Sequence, residues 1–216
     1  MEETKFKTTK FKPAKLTTFA VLIAALFLLS FSAGKVYASS YSLFNGYYVS
    51  LNGGLAETSP SGLSSKSGGT YNLSLGKNYN LNKFVIGGGT VLGYASDGSY
   101  TIDNFDGYGD NATASVDSVY YGVFIKGGYA YKNIMPFIKL GYIGYSFGAS
   151  YSYSGPYGSD YATYSTPLTS EGGLLYGAGV EYMFTPNWGI TAQYFGTSLS
   201  GGDKVNSFTA GVDFNF

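Results

Sequence analysis

Four ionisable residues stand in stretches otherwise short of charge: Lys126, Lys139, Glu181 and Asp213. Their neighbours are apolar residues and glycine, as in Phe124-Ile125-Lys126-Gly127-Gly128 and Gly179-Val180-Glu181-Tyr182-Met183. Two ammonium and two carboxylate groups are the complement of an ion-pair network, and in a narrow passage they would form a charged constriction. A second group of carboxylates lies in the stretch 97–117, where Asp97, Asp103, Asp106, Asp110 and Asp117 occur with Asn104 and Asn111 and no lysine. Carboxylates and Asn carbonyls suit Ca²⁺, and Asp103, Asp106 and Asp110 are the candidate ligands. The spacing lacks the Glu at position twelve of an EF-hand loop, so an acidic solvated loop is the competing reading. A third group is Tyr151, Tyr153, Tyr157, Tyr161 and Tyr164, interleaved with Ser, Gly and Thr. Tyr supplies contact area and a hydroxyl at low entropy cost, which fits protein or glycan contact.

Other chemistry is excluded by composition. The 216 residues include no Cys and no His, which removes thiol enzymes, disulfides, cysteine metal sites and imidazole catalysis. No Ser–Lys or paired-carboxylate spacing suggests a nucleophile with its base. No cofactor is expected. Charged residues make up only 12% and aromatics 19%, a balance opposite to that of disordered chains.

The elements that hold these residues begin after an address. Lys5, Lys7, Lys10, Lys12 and Lys15 precede an apolar run over 16–31, and Val36-Tyr37-Ala38 stands ahead of Ser39. A basic region, an apolar region and an A-x-A-like site make a secretory signal peptide over 1–38, leaving 39–216 as the mature domain. A membrane anchor would need about 20 apolar residues, somewhat more than this run offers. Cleavage leaves seven lysines against eleven acidic residues and no Arg, a net charge of −4. Such a chain is a poor partner for nucleic acid.

The mature part alternates with period two. Phe208, Ala210, Val212, Phe214 and Phe216 share one face of the last segment, against Thr209, Gly211, Asp213 and Asn215. The same pattern runs through 119–131, 134–146, 174–184 and 188–196, and more weakly through 47–56, 70–79 and 84–94. The total is eight strands of about 10–14 residues, long enough to cross a bilayer when tilted. One face is apolar and the other polar and Gly-rich, which describes an inside-out barrel. The expected fold is all-β, an eight-stranded antiparallel up-and-down transmembrane β-barrel. A soluble β-sandwich with the apolar faces inside is the competing architecture.

Connections near 79–83, at Lys132-Asn133 and at Thr185-Pro186-Asn187 are short. Those near 57–69, 96–116 and 148–172 are long, and the last, near 199–203, is brief. Short turns at one end and long loops at the other are the habit of outer-membrane barrels. Tyr129, Tyr131, Phe184, Trp188 and Phe216 fall on the apolar face beside the short turns, where an aromatic girdle belongs. Parity sends Lys126, Lys139, Glu181 and Asp213 inward. A two-residue turn at 132–133 pairs Lys126 with Lys139, so their charges need Glu181 and Asp213 close by, with Gln193 and Thr191 near. Inward glycines, among them Gly87, Gly89, Gly122, Gly128, Gly141, Gly177 and Gly179, leave some space.

These features resemble the small eight-stranded outer-membrane barrels of Gram-negative bacteria, the group that includes OmpA-type membrane domains, OmpX and the opacity proteins. The resemblance covers essentially all of 41–216. Its most specific element is the alternating Phe208, Ala210, Val212, Phe214 and Phe216, similar to the family's signal for the barrel-assembly machinery. The stretch Pro136-Phe137-Ile138-Lys139-Leu140-Gly141-Tyr142-Ile143-Gly144-Tyr145 is similar to a recurring family strand, with Lys139 where a small residue is more usual. A peptidoglycan-binding domain after the last strand, and with it a tethering role, is not expected. The resemblance implies an outer-membrane location with loops extracellular and both termini periplasmic. It implies contact with membrane lipid and lipopolysaccharide, and a monomer. The expected role is non-enzymatic: membrane integrity, with adhesion or contact with a host or cell-surface ligand through the tyrosine-rich and acidic loops. A narrow porin-like channel for ions or small polar solutes is the alternative.

Overall fold

In a computed structural model, which describes residues 43–59, 65–102, 111–154 and 164–216, eight antiparallel strands follow one another and close. They are β1 (Gly46–Ser59), β2 (Lys66–Leu81), β3 (Phe84–Ile102), β4 (Asn111–Tyr129), β5 (Ile134–Ser154), β6 (Tyr164–Met183), β7 (Trp188–Leu199) and β8 (Lys204–Asn215). Each pairs with its sequence neighbour. β1 also pairs with β8, from Tyr48↔Asn215 to Ser59↔Lys204, so the sheet has no open edge. The sandwich alternative is thereby excluded.

Alternation sorts the side chains as the period-two pattern requires. Along β4, Val123 and Ile125 are 58% and 66% exposed, whereas Phe124 and Lys126 are 5% and 4% exposed. The outer face is therefore apolar and open, and the inner face is filled. Tyr129, Tyr131, Phe184, Trp188 and Phe216 are all exposed beside the short connections. Two of those connections need a left-handed residue, Asn82 with φ 59° and Lys132 with φ 54°. Asn adopts that conformation readily; Lys132 is held in it by the tight turn, where Tyr131 and Ile134 exchange backbone hydrogen bonds of 2.8 and 3.0 Å.

The strand lengths correct the expectation. β3 to β6 have 19, 19, 21 and 20 residues, well beyond 10–14. Much of 96–116 and 148–172, expected as loop, is paired wall. The reason is physical. Where strands leave hydrocarbon, the outer face no longer has to be apolar, and the apolar–polar contrast that marks a strand weakens. Asn111-Ala112-Thr113-Ala114-Ser115 shows little such contrast, yet its backbone pairs with Ser150–Ser154. Register shifts between Ser96 and Gly98 and between Phe147 and Gly148 mark the base of this taller wall.

The inner face holds two apolar clusters. Phe44, Val85, Met135, Phe137 and Met183 pack at the short-turn end. Tyr48, Tyr120, Phe124, Ile143, Tyr145, Phe147, Leu175 and Phe195 belong to a larger one, reaching toward the loop end. The expectation of a merely polar, glycine-rich lumen is corrected accordingly. Glycine is what admits the large rings. A Cβ at Gly141 would stand 2.8 Å from Phe124 Cα and 2.9 Å from its Cβ. Gly141→Val should therefore cost about 1–3 kcal/mol by overpacking. The measurement is urea unfolding in lipid vesicles, and an unchanged midpoint would contradict this account of the core.

Candidate functional site

The lumenal charge layer is built from β1 and from every strand between β4 and β8. On the inner face of β5 the order is Met135, Phe137, Lys139, Gly141, Ile143, Tyr145, so Lys139 lies between the two apolar clusters. Lys139 stands opposite Lys126 in the β4–β5 register. Both ammonium groups are thus on one wall of a narrow barrel, where unpaired charge is costly. Lys126 Nζ pairs with Glu181 Oε2 at 3.0 Å, and both side chains are 4% exposed. The Tyr48 ring lies 4.4 Å from the same ammonium. Lys139 Nζ donates to Gln193 Oε1 at 2.7 Å and lies 4.5 Å from the Phe124 ring. Asp213 accepts hydrogen bonds from the hydroxyls of Ser50 and Thr191. Gly179 makes the crossing of β5, β6 and β7 side chains feasible: a Cβ there would meet Phe137 Cζ at 2.6 Å and Gln193 Cβ at 2.8 Å.

The four charges share one layer but do not form two ion pairs. One pair is direct, one lysine is held by an amide and two aromatic faces, and one carboxylate is held by two hydroxyls. The amide and aromatic faces give the half-buried Lys139 ammonium partial compensation without a second carboxylate. Sequence reasoning missed Ser50, Tyr48, Phe124 and Phe137. The parity of β1 could have put Tyr48 and Ser50 inside, but only the closure register, Ser50↔Asp213, brings that hydroxyl to its carboxylate. Also missed was a polar wall on β1, β2, β7 and β8, including Asn52, Asn72, Ser74, Thr197, Ser207 and Thr209, all buried. Asn52 Nδ2 donates to Asn72 Oδ1 at 3.1 Å within it. Amide and hydroxyl groups thus line much of β1, β2, β7 and β8, with the rings of Tyr48 and Phe195 among them.

The other candidates are placed differently. Asp103, Asp106 and Asp110 lie outside the described residues, as do Tyr157 and Tyr161. Among the described residues no three acidic side chains converge as a metal site would require. Tyr151 and Tyr153 belong to β5 and Tyr164 opens β6, with Tyr151↔Tyr164 paired across the wall; these three are strand residues, not loop residues. Phe208, Ala210, Val212 and Phe216 are exposed on the outer face at β8. Phe214 stacks beside them, with ring centroids 4.7 Å from Trp188 and 4.8 Å from Phe216.

A closed antiparallel barrel, apolar outside and packed inside, with girdles of aromatic residues, defines an integral membrane barrel. The chain belongs to the family described as outer membrane protein beta-barrel domain, whose profile matches residues 23–216. Its location is accordingly the outer membrane. Among solved structures it is similar to Ail, the attachment invasion locus protein of Yersinia pestis, at 21% identity and a TM-score of 0.51, over 80% of this chain and 99% of that one. A major outer membrane protein from Thermus thermophilus aligns at 12% identity and a TM-score of 0.51, over 79% and 99% of the two chains. Neisserial surface protein A aligns at 20% identity and a TM-score of 0.48, over 79% and 97%. Comparison with curated proteins by sequence returns no match.

The ion pair yields a direct test. Glu181→Gln removes the carboxylate and leaves the Lys126 ammonium buried, which should cost about 3–5 kcal/mol. Adding Lys126→Met to Glu181→Gln removes the stranded charge and should restore most of that loss. Urea unfolding of the single and double variants in vesicles measures both, and equal stability of the two would show that the pair carries no such coupling.

Proposed function

We propose that this is a non-enzymatic, non-conducting surface protein that supports the outer membrane and makes ligand or adhesive contacts at its tall end. The observation that carries the reading is the length of β3 to β6. About 9–11 tilted residues cross the hydrocarbon, while these strands have 19 to 21. Half of each strand therefore stands as a paired wall beyond the membrane, and a rigid wall is what a contact surface on loops requires. The tyrosines of β5 and β6, Tyr151, Tyr153 and Tyr164, belong to that wall, and Tyr157 and Tyr161 fall between the two strands in sequence. The short turns and both termini then face the periplasm, the loops face the exterior, and the barrel is a monomer inserted by the barrel-assembly machinery. Lipopolysaccharide is the lipid expected around the upper belt.

The packed lumen supports the non-conducting part. The charge layer lies between two apolar clusters, and Lys126, Glu181 and Asp213 are all buried. Ser50 and Asp213 are enclosed in the same layer, away from any substrate, which supports the non-enzymatic part. In planar bilayers the protein should give no resolved single-channel steps. Reproducible steps that are lost or resized in Glu181→Gln would establish a narrow channel instead. Replacing 155–163 by a short Gly-Ser turn should leave the heat-dependent gel shift of a folded barrel while removing most attachment to cells or matrix. Undiminished attachment would defeat the adhesive reading.

A further inference from the structure

We propose that Lys77, Tyr47 and Tyr79 form a binding site for the phosphate of a glycerophospholipid in the periplasmic leaflet. Lys77 is on the outer face of β2, opposite Tyr47 in the β1–β2 register. Among the described residues, the other charged groups on the outer strand faces, Glu57, Asp117 and Lys204, sit toward the loop end. Of these, Lys77 alone is set into the lipid-facing wall near the short turns. It precedes Leu81, the end of β2, by four residues. At about 3.3 Å per residue and a tilt near 40°, that is ~10 Å above the turn, at the inner margin of the girdle. Tyr47 belongs to the same rim, because the backbone N–H of the last residue, Phe216, donates to its carbonyl at 2.9 Å.

The geometry of the ammonium is specific. Lys77 Nζ lies 4.5 Å from the Tyr47 ring and 4.8 Å from the Tyr79 ring. Its contact with the Tyr47 hydroxyl is 3.4 Å. Tyr79 is two residues nearer the turn, so the side chain leans out of the hydrocarbon toward the headgroups, as a snorkelling lysine does. The two rings fix the ammonium but leave its charge uncompensated, for no carboxylate among the described residues is paired with it. At this depth the abundant anion is the lipid phosphate diester. A phosphate oxygen on Nζ, with the Tyr47 and Tyr79 hydroxyls as further donors, completes the cation's surroundings.

The assignment to the periplasmic leaflet rests on the topology proposed above, and the experiment separates the two. The folded barrel in detergent is titrated with dioleoylphosphatidylglycerol and lipid retention is read by native mass spectrometry. The unmodified protein should hold one lipid at a concentration about fivefold below that needed by Lys77→Gln. Tyr47→Phe should fall between them, and the turn variant Lys132→Gln should match the unmodified protein. Each variant is first shown to keep the heat-dependent gel shift. Equal retention by the unmodified protein, Lys77→Gln and Tyr47→Phe would overturn the site. Displacement of the phospholipid by lipid A at lower concentration would overturn the choice of a glycerophospholipid. The chain has no Cys, so Lys83→Cys can be probed alone with an impermeant maleimide. Labelling in intact cells would overturn the topology while leaving phosphate binding in detergent untouched.

Discussion

Hydrocarbon offers no hydrogen-bond partner, so every backbone N–H and C=O within it must be satisfied by the chain itself. For a chain built of strands the solution is closure, and here closure depends on the pairing of β1 with β8 from Tyr48↔Asn215 to Ser59↔Lys204. The rest follows from it. Closure fixes two faces of opposite character along every strand. It brings Ser50 to Asp213, residues far apart in sequence, and sets the last Phe216 against Tyr47. It also fixes a narrow interior, which an eight-stranded barrel fills with its own side chains.

That interior shows how buried charge is accommodated when geometry allows one ion pair. The register puts Lys126 beside Lys139. Glu181 meets the first, and the second is met by the Gln193 amide and by aromatic faces. Asp213 is satisfied by hydroxyls from β1 and β7. Glycines at 141, 177 and 179 let these long side chains and the rings of Phe124, Phe137 and Phe195 cross one another. The same residues that neutralise the layer therefore fill the barrel interior at this level.

The outer surfaces differ along the axis. Near the short turns the wall is apolar with an aromatic rim, and Lys77 there is wrapped by two tyrosines. Toward the loops, β3 to β6 continue as a paired wall rich in Ser, Tyr, Ala and Thr. The two register shifts, at Ser96/Gly98 and Phe147/Gly148, lie at the base of this taller wall.

Period-two alternation, the brevity of three turns and the terminal Phe made the strand number, the antiparallel order, the inside and outside of each strand and the membrane setting legible from sequence alone. These are local properties: side-chain parity along a strand is fixed by the pleat, and hydrocarbon enforces the contrast that reveals it. The two-residue turn at 132–133 likewise fixed which lysines would face each other. Tertiary structure alone decided the upper halves of β3 to β6, because strands beyond the hydrocarbon need no apolar outer face and carry a weaker hydrophobic contrast. It alone decided that Lys139 would rest on Gln193 and that Asp213 would take hydroxyls from Ser50 and Thr191. Those partners are set by register across several strands and by the closing seam, and no spacing along the chain encodes them.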